Sequence, residues 1–519
     1  MKTGKPLYIT TTLPYVNADP HIGFALELVH ADIYTRYKVL EGNEVFFNTG
    51  TDEHGLKIYR KALEEGKDTQ AYTDEYAEKF RALKEKLALS VDIHFVRTTD
   101  PHHKKAAQEL WRRCVKAGDI YKKKYKGLYC VGDEMFLRES DLVNGRCPNH
   151  STMVPEEIEE ENYFFKLSKY QERLKTYLSQ PNVIVPEWRR QEALNFIEQG
   201  LEDFSVSRDK TRLPWGVSVP EDESQTMYVW FDALTNYIST LGWPDDVEGN
   251  FAKFWTGGET LQLAGKDQVR FQSIMWQAML MSAGLKPTDR VVYHGFITSG
   301  GQKMSKSLGT GIDPMPLVDE YGTDALRHFL SKHIHPFDDS DFTTERFKDA
   351  YNADLANGLG NFVSRVTTMA QQHGVEYDVP ASEKALQRLE LSVNSSTPTM
   401  EAYRDDIDRY EFHNAVTLVW EEIAIGDSII QKEKPFELIK TDERKAKETI
   451  ADLMQRVFRI AIMLEPFMPR TSLIMKEAII TNKKPENLFP RKDEIKVPSG
   501  KMPQFAIVKK KKKKLGWFE

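Results

Sequence analysis

The sequence predicts an α/β protein: a doubly wound parallel sheet interrupted by an insertion and followed by an all-α unit. Three observations carry this. Strand-like and helix-like periods alternate from Leu7 to beyond Gly55. The alternation resumes at Thr226 after a stretch of different composition, and from Phe347 to about Ile480 the pattern is almost entirely helical. At 519 residues the chain exceeds one compact domain. Apolar residues make up 40% and charged residues 29%, which excludes wholesale disorder. The 71 Lys and Arg against 78 Asp and Glu leave a net charge of −7, so any contact with nucleic acid must come from local patches. No run approaches the ~18 apolar residues of a membrane span, and no secretory segment follows Met1. Three cysteines, Cys114, Cys130 and Cys147, fit a reducing, cytoplasmic setting.

Leu7-Tyr8-Ile9-Thr10-Thr11-Thr12 is β-branched and aromatic, hence a strand. Pro14, Asn17, Asp19 and Pro20 break it. Leu26, Val29, Ile33 and Tyr37 then return every three or four residues, an amphipathic helix of roughly five turns ending near Gly42. A second strand, Glu44-Val45-Phe46-Phe47-Asn48, leads into Gly50-Thr51-Asp52-Glu53-His54-Gly55 and another helix. Residues 115–225, with a lysine cluster at 122–126 and an acidic stretch at 156–161, read as the insertion. Further strands are expected at 226–231, 261–264 and 290–293, before the loop Thr298-Ser299-Gly300-Gly301-Gln302-Lys303. The expected divisions are 1–114 and 226–310 for the sheet, 115–225 for the insertion, 311–350 for a junction and 351–490 for the helical unit. A tail, 491–519, carries six consecutive lysines at 509–514.

An open parallel sheet takes its ligand at the carboxyl ends of its strands. Both common nucleotide fingerprints are absent: Leu56 stands where a P-loop lysine would follow Gly50 and Gly55, and Val363 where the third glycine would follow Gly358 and Gly360. Two other segments point to phosphate. In Pro14-Tyr15-Val16-Asn17-Ala18-Asp19-Pro20-His21-Ile22-Gly23-Phe24 a histidine stands at a helix mouth, where N–H groups and the dipole favour anions. Gly23 would let a phosphate approach the backbone, and His21 can donate to it. Lys303-Met304-Ser305-Lys306-Ser307 puts two point charges on a glycine-flanked loop. Singly, these are a capping histidine and a solvated lysine loop; together, in this order on one sheet, they are specific.

These two segments resemble the signatures of the class I aminoacyl-tRNA synthetases. With Thr12-Leu13-Pro14-Tyr15-Val16-Asn17, Gly50-Thr51-Asp52-Glu53-His54-Gly55, Tyr228-Val229-Trp230-Phe231-Asp232-Ala233 and Gly295-Phe296, the chain resembles the methionyl-tRNA synthetases from residue 7 to about 490. The resemblance implies a class I Rossmann-type sheet with an inserted connective (knuckle) domain, a stem-contact junction and a C-terminal anticodon-binding domain. It implies L-methionine, ATP with Mg²⁺, and tRNA(Met), including the initiator, as partners, and a monomer. His21, Gly23, Lys303 and Lys306 are the implied catalytic residues. ATP is implied to contact Pro14, Asn17, His21, Gly23, Phe24, Gly265, Asp267, Lys303, Met304, Ser305, Lys306 and Ser307. Methionine is implied to contact Leu13, Tyr15, Asp52, Trp230, Ala233, Tyr237, Gln272 and Trp276, with Asp52 anchoring the α-ammonium. Asn361, Arg365 and Phe436 correspond to anticodon readers.

The sequence also departs from the family. Phe24 replaces the fourth signature histidine and cannot hydrogen-bond a phosphate. Gln268 and Gln272 stand where isoleucine and histidine are common, and Phe436 where a tryptophan is expected. Cys130, Asp133, Cys147 and His150 form a knuckle open to two readings, a zinc site with aspartate as one ligand or a metal-free knuckle held by packing; either role is structural. Two rival readings of the whole chain are a class I synthetase for another amino acid and a tRNA-binding protein without catalysis. Intact His21, Lys303 and Lys306 speak against the second.

Overall fold

The structure, a computed structural model, describes residues 4–90, 92–131, 135–137, 139–148, 153–303, 311–377 and 398–492. Its centre is a six-stranded parallel sheet. The order is β3 (Ile93–Arg97), β2 (Val45–Thr51), β1 (Leu7–Thr10), then Glu259–Gly265, Arg290–His294 and Ile184–Val185. Every neighbouring pair is parallel. Strand order reverses between β1 and Glu259–Gly265, and the crevice for a ligand opens at such a reversal. β1 is buried along its whole length, as a strand covered by helices on both faces must be. In β2 Gly50 is obligatory, because a Cβ there would lie 1.9 Å from the Val96 carbonyl oxygen on β3.

Helix α1 (Ile22–Leu40) crosses from β1 to β2. It buries residues on nearly all sides, including Glu27, His30 and Asp32, so its polar residues must find partners inside. Asp32 accepts from Arg36 at 2.7 Å and from the Ser90 amide and hydroxyl at 2.6 Å each. Its other cation is Arg327, from the helix Thr323–Lys332, at 2.8 Å. Arg327 is fully buried and also donates to the carbonyls of Leu87, Pro466 and Phe467 at 3.0, 2.7 and 2.8 Å.

Two elements differ from the expectation. The apolar run expected as a strand from 226 is split: Asp222–Met227 is a strand of a small antiparallel sheet, and Val229–Leu234 is a helix. A short apolar run fits either period, and here burial on all sides chose the helix. Ile184–Val185, inside the stretch read as an insertion, pairs with Arg290–His294 as the sixth strand. Two residues are too few to show a period. The rest of that stretch builds a four-stranded antiparallel sheet around Ile120–Cys130 and Glu156–Phe165. Their register sets Lys124 opposite Glu161 and Lys126 opposite Glu159, so the lysine cluster and the acidic stretch complement one another across strands.

The C-terminal part is helical among the described residues, from Thr344–Ala350 through Asn361–His373, Phe412–Glu433 and Glu443–Leu464 to Pro469–Thr481. One apolar core runs from β1 and α1 through these helices to Phe489. Arg327 lies at the join. Arg327→Met leaves three carbonyls and one side of Asp32 without their donor, so it is expected to lower stability by about 3–5 kcal/mol. A fall in the urea midpoint at unchanged slope is the measurement.

Candidate active site

From the end of β1 the chain runs along the crevice and is tied to the turn after β2. The Asp52 amide donates to the Pro14 carbonyl at 3.0 Å and the Val16 amide to the Asp52 carbonyl at 3.2 Å. Tyr15 and Asp52 thus face each other as a parallel bridge. Asn17 donates to the Tyr15 carbonyl at 3.3 Å and accepts from Lys57 at 3.2 Å.

His21 caps α1: its Nδ1 accepts the Gly23 amide at 3.1 Å, so a neutral ring carries its proton on Nε2. The Ile22 amide donates to the Ile312 carbonyl at 2.9 Å and the Phe24 amide to the His21 carbonyl at 3.0 Å. The helix mouth therefore presents its dipole and the His21 ring, while its first three amides are engaged within the protein. The Ile22–Ile312 bond also joins the first signature to the chain just past the second. Lys303 lies in Gln302–Lys303, antiparallel to Ile297–Ser299, with Lys303 opposite Thr298. The turn between them uses Gly300 and Gly301 at φ +60° and +75°, the conformation a two-residue hairpin requires. Met304, Ser305, Lys306 and Ser307 lie outside the described residues. Phe24 sits edge-on to Phe80 at 5.6 Å and lines a small crevice with Leu28 and Phe95, so its ring is used in packing.

Across the reversal point, Gly265 ends its strand opposite His294. A Cβ on Gly265 would lie 2.9 Å from Asp267 Oδ1, so any side chain there would displace that carboxylate. Asp267 is exposed, while Lys266 pairs with Asp339 at 2.6 Å. The crevice is closed underneath by Glu27. Its Oε1 accepts from the amide and hydroxyl of Thr12, each at 2.6 Å, and its Oε2 meets His294 Nε2 at 2.9 Å. His294 Nδ1 lies 2.7 Å from the Gly295 carbonyl. Both ring nitrogens face acceptors, which calls for an imidazolium. Burial alone would lower the His294 pKa, but the Glu27 hydrogen bond and charge and the Gly295 carbonyl raise it overall.

Beside this lies an aromatic pocket. Trp230 stacks on Phe271 at 4.0 Å, and Ala233, Tyr237, Gln272 and Trp276 are buried. Gln272 Nε2 donates to the Tyr237 hydroxyl at 2.5 Å, and the Tyr237 and Trp276 rings are 5.8 Å apart. Gln272 Oε1 and Trp276 Nε1 are buried and make no hydrogen bond within the described residues, which leaves two polar points in an otherwise apolar lining. Leu13 and Tyr15 are half-buried and Asp52 is buried. The turn bearing Asp52 is held by its neighbours. Arg97 bonds Glu53 at 2.7 and 2.8 Å, and His54 Nδ1 meets Asp232 Oδ2 at 2.6 Å. Asp232 Oδ1 meets His103 at 2.8 Å. Burial alone would raise the Asp232 carboxyl, yet the two histidines bring it down to about 2.

In the helical part, Asn361 is exposed and Arg365, one turn on, bonds Asp427 at 2.7 Å. Phe436 is 47% exposed, so it is not a buried helix-end aromatic. Cys130 and Cys147 are buried together with Leu137 and Leu142, while Asp133 and His150 fall outside the described residues. Two other groups among the described residues bring three ligand-type atoms together. In His328, His333 and Asp354 the Lys332 ammonium already lies 2.9 Å from the Asp354 carboxylate. In His335, Glu411 and His413 the His335 Nδ1 accepts the Phe337 and Asp338 amides.

The parallel sheet with its reversal point, the capping histidine and the hairpin that ends at Lys303 are those of a class I tRNA synthetase. The model of that family's M type, "tRNA synthetases class I (M)", matches residues 7–154 and 150–367. A second, "Anticodon binding domain of methionyl tRNA ligase", matches 379–501. The methionine–tRNA ligase of Nostoc sp. is 42% identical over 484 residues, 91% of this chain and 89% of the relative. That of Thermotoga maritima is 41% identical over 90% of this chain and 74% of its own length. The structure of Mycobacterium tuberculosis methionyl-tRNA synthetase bound by methionyl-adenylate superposes with a TM-score of 0.83 at 34% identity, covering 94% of this chain and 99% of the other. The chain belongs to the methionyl-tRNA synthetase family.

Sequence reasoning missed Glu27, His294, Asp232, His54 and His103. For Glu27 the available signal was a charged residue inside the apolar run Phe24-Ala25-Leu26-Glu27-Leu28-Val29 of α1. The clamp has a pH signature. A histidine whose folded pKa is raised contributes stability that is fully present below its unfolded value, about 6.5, and lost as pH rises through the folded value. Unfolding midpoints measured from pH 6 upward are expected to fall in the wild type, and this part of the slope to be absent in Glu27→Gln.

Proposed function

We propose that this chain is a methionine–tRNA ligase, which joins L-methionine to ATP as methionyl-adenylate, releases pyrophosphate, and passes the methionyl group to the 3′ end of tRNA(Met), the initiator included. What supports the reading is the first signature at the crevice, tied by the Ile22–Ile312 hydrogen bond to the chain just past the second, beside an aromatic pocket whose wall includes the buried Asp52.

The roles follow from the chemistry of each group. Asp52 takes the α-ammonium of methionine through a charge-assisted hydrogen bond. The Trp230, Ala233 and Trp276 surfaces and the Tyr237 hydroxyl receive the thioether, a soft, polarisable group suited to an aromatic lining. The methionine carboxylate is ionised near pH 7 and attacks the α-phosphate without a general base. The barrier is charge gathering on the phosphates, and positioned donors lower it. His21, through its Nε2 proton, with Lys303 and Lys306, answers that charge. Gly23 keeps the helix mouth open. The Gly265 ledge and Asp267 take the ribose. Pro14 and Asn17 shape the wall above the triphosphate, with Met304, Ser305 and Ser307 completing the lysine loop. Magnesium enters with ATP and neutralises part of the triphosphate charge.

Asn361, Arg365 and Phe436 read the anticodon through an amide, a guanidinium and a stacking face. Where zinc is carried by Cys130, Asp133, Cys147 and His150, it braces the inserted sheet and takes no part in the reaction. We place the protein in the cytoplasm as a monomer; its three cysteines form no disulfide, and no described helix is long and apolar enough to cross a membrane.

The deciding experiment is exchange of labelled pyrophosphate into ATP with each amino acid in turn. Methionine alone should support it; exchange with a different amino acid, or with none, overturns the reading. Lys306→Ala is expected to slow exchange roughly 10²–10³-fold, the size of one lost transition-state donor, with the KM for methionine little changed. Phe436→Ala should raise the KM for tRNA about 5- to 150-fold, the worth of one base stack, while exchange stays at the wild-type rate.

A further inference from the structure

Outside the crevice, an open groove lies on the helix Glu187–Glu198. It measures about 420 Å³ and is lined by Trp188, Gln191, Glu192, Asn195, Phe196 and Gln199. These residues form one stripe along the helix, roughly 16 Å from end to end at 1.5 Å per residue. Trp188 is 50% exposed, and nothing in the reaction as derived above uses it.

Three features fix what the groove can take. The first is position. The helix follows Ile184–Val185, the edge strand beside Arg290–His294, so it starts at the carboxyl end of the sheet, where the crevice opens. Trp188 rests edge-on against Phe337 at 6.0 Å. Two residues on, Asp339 accepts the Phe296 amide at 2.9 Å and holds Lys266, the neighbour of Gly265. Further along the stripe, the Arg270 guanidinium sits 4.8 Å from the Phe196 ring centre, three residues beyond Asp267. The groove is thus continuous with the rim of the nucleotide crevice at both places.

The second feature is chemistry: two aromatic faces, three carboxamides and a guanidinium lying on an aromatic ring. Flat rings with amide edges suit unstacked nucleobases, which offer a π-face and a hydrogen-bonding edge. The third is charge. Glu192 is paired with Arg189 and Glu187 with Arg190, each at 2.5 Å. The surface is therefore close to neutral, which suits stacking of bases better than tracking of phosphates or an anionic membrane.

We infer that the Trp188–Phe196 groove is a stacking platform for the single-stranded 3′ end of the tRNA, guiding it over the rim into the crevice. This rests on the tRNA-charging reading, which requires that end to reach the adenylate from outside.

The test uses the full chain with Trp188→Ala and Trp188→Phe, and tRNA(Met) either intact or lacking its unpaired 3′-terminal nucleotides. Trp188→Ala is expected to weaken binding of intact tRNA about 5- to 150-fold, Trp188→Phe to restore most of it, and both to keep methionine-dependent pyrophosphate exchange. The truncated tRNA should bind wild type and Trp188→Ala alike. Equal binding of intact tRNA by wild type and Trp188→Ala overturns the proposal, as does an equal loss for both tRNAs, which would assign Trp188 to the stem or to folding. An association of copies that Trp188→Ala abolishes, with tRNA binding unchanged, would make the groove a protein contact and also overturn it. Failure of the exchange reaction in the wild type would instead strike the enzyme reading itself.

Discussion

A single buried carboxylate holds the crevice at its width. β1 and the strand Glu259–Gly265 lie side by side, but among the described residues their ladder ends at Thr10 and Gln262, and beyond it the chain leaves in opposite directions. Glu27 spans the gap, with one oxygen on the amide and hydroxyl of Thr12 and the other on His294. A carboxylate that is 3% exposed would be costly without partners; here two donors from Thr12 and the positively charged His294 ring offset that cost. The mouth of α1 and the Gly265 end of its strand are therefore fixed relative to each other by one side chain.

The same device recurs around the amino-acid pocket. Thr51, Asp52, Glu53 and His54 form an unbroken run of buried polar residues, which a hydrophobic pattern would place at the surface. They stay inside because partners come to them: Arg97, Thr98 and Thr99 to Glu53, and Asp232 to His54. Asp52 is thus gripped on both sides in sequence and by the Pro14–Val16 segment in space. A buried polar network of this kind fixes geometry more sharply than apolar packing, because each bond has one direction. That suits a pocket which must orient an ammonium and a carboxylate around a flexible substrate.

What could be seen in the sequence divides along physical lines. α1 is legible because it repeats its period several times, and β1 and β2 because their residues are β-branched and aromatic, whereas the stretch read as a loop before Lys303 is a hairpin. Ile184–Val185 was invisible because two residues show no period, and Val229–Leu234 was ambiguous because a fully buried helix shows no polar face. The resemblance brought out residues that sit in signatures, such as His21, Asp52 and Trp230. It could not bring out the Glu27–His294 pair, whose members are 267 positions apart and look singly like any charged residue on a helix and any histidine at a strand end. Nor could it show that Phe24, having lost the hydrogen bond of a histidine, finds its place against Phe80, or that Phe436 stands in solvent. Exposure is a property of the assembled fold.

α1 connects these levels. It begins at His21, where the triphosphate charge is to be met, carries Glu27 one and a half turns on, and presents Asp32 further along to Arg327. Arg327 in turn grips the Pro466 and Phe467 carbonyls at the turn between two helices of the C-terminal part. The helix is close-packed and its polar groups are saturated, so it cannot bend locally to absorb a shift at one end. A displacement of the helical part that pulled on Arg327 would have to move α1 as a rigid rod, and with it both Glu27 and the histidine cap. In this fold the helix whose mouth opens at the crevice is also the one by which the helical C-terminal part is mechanically attached to it.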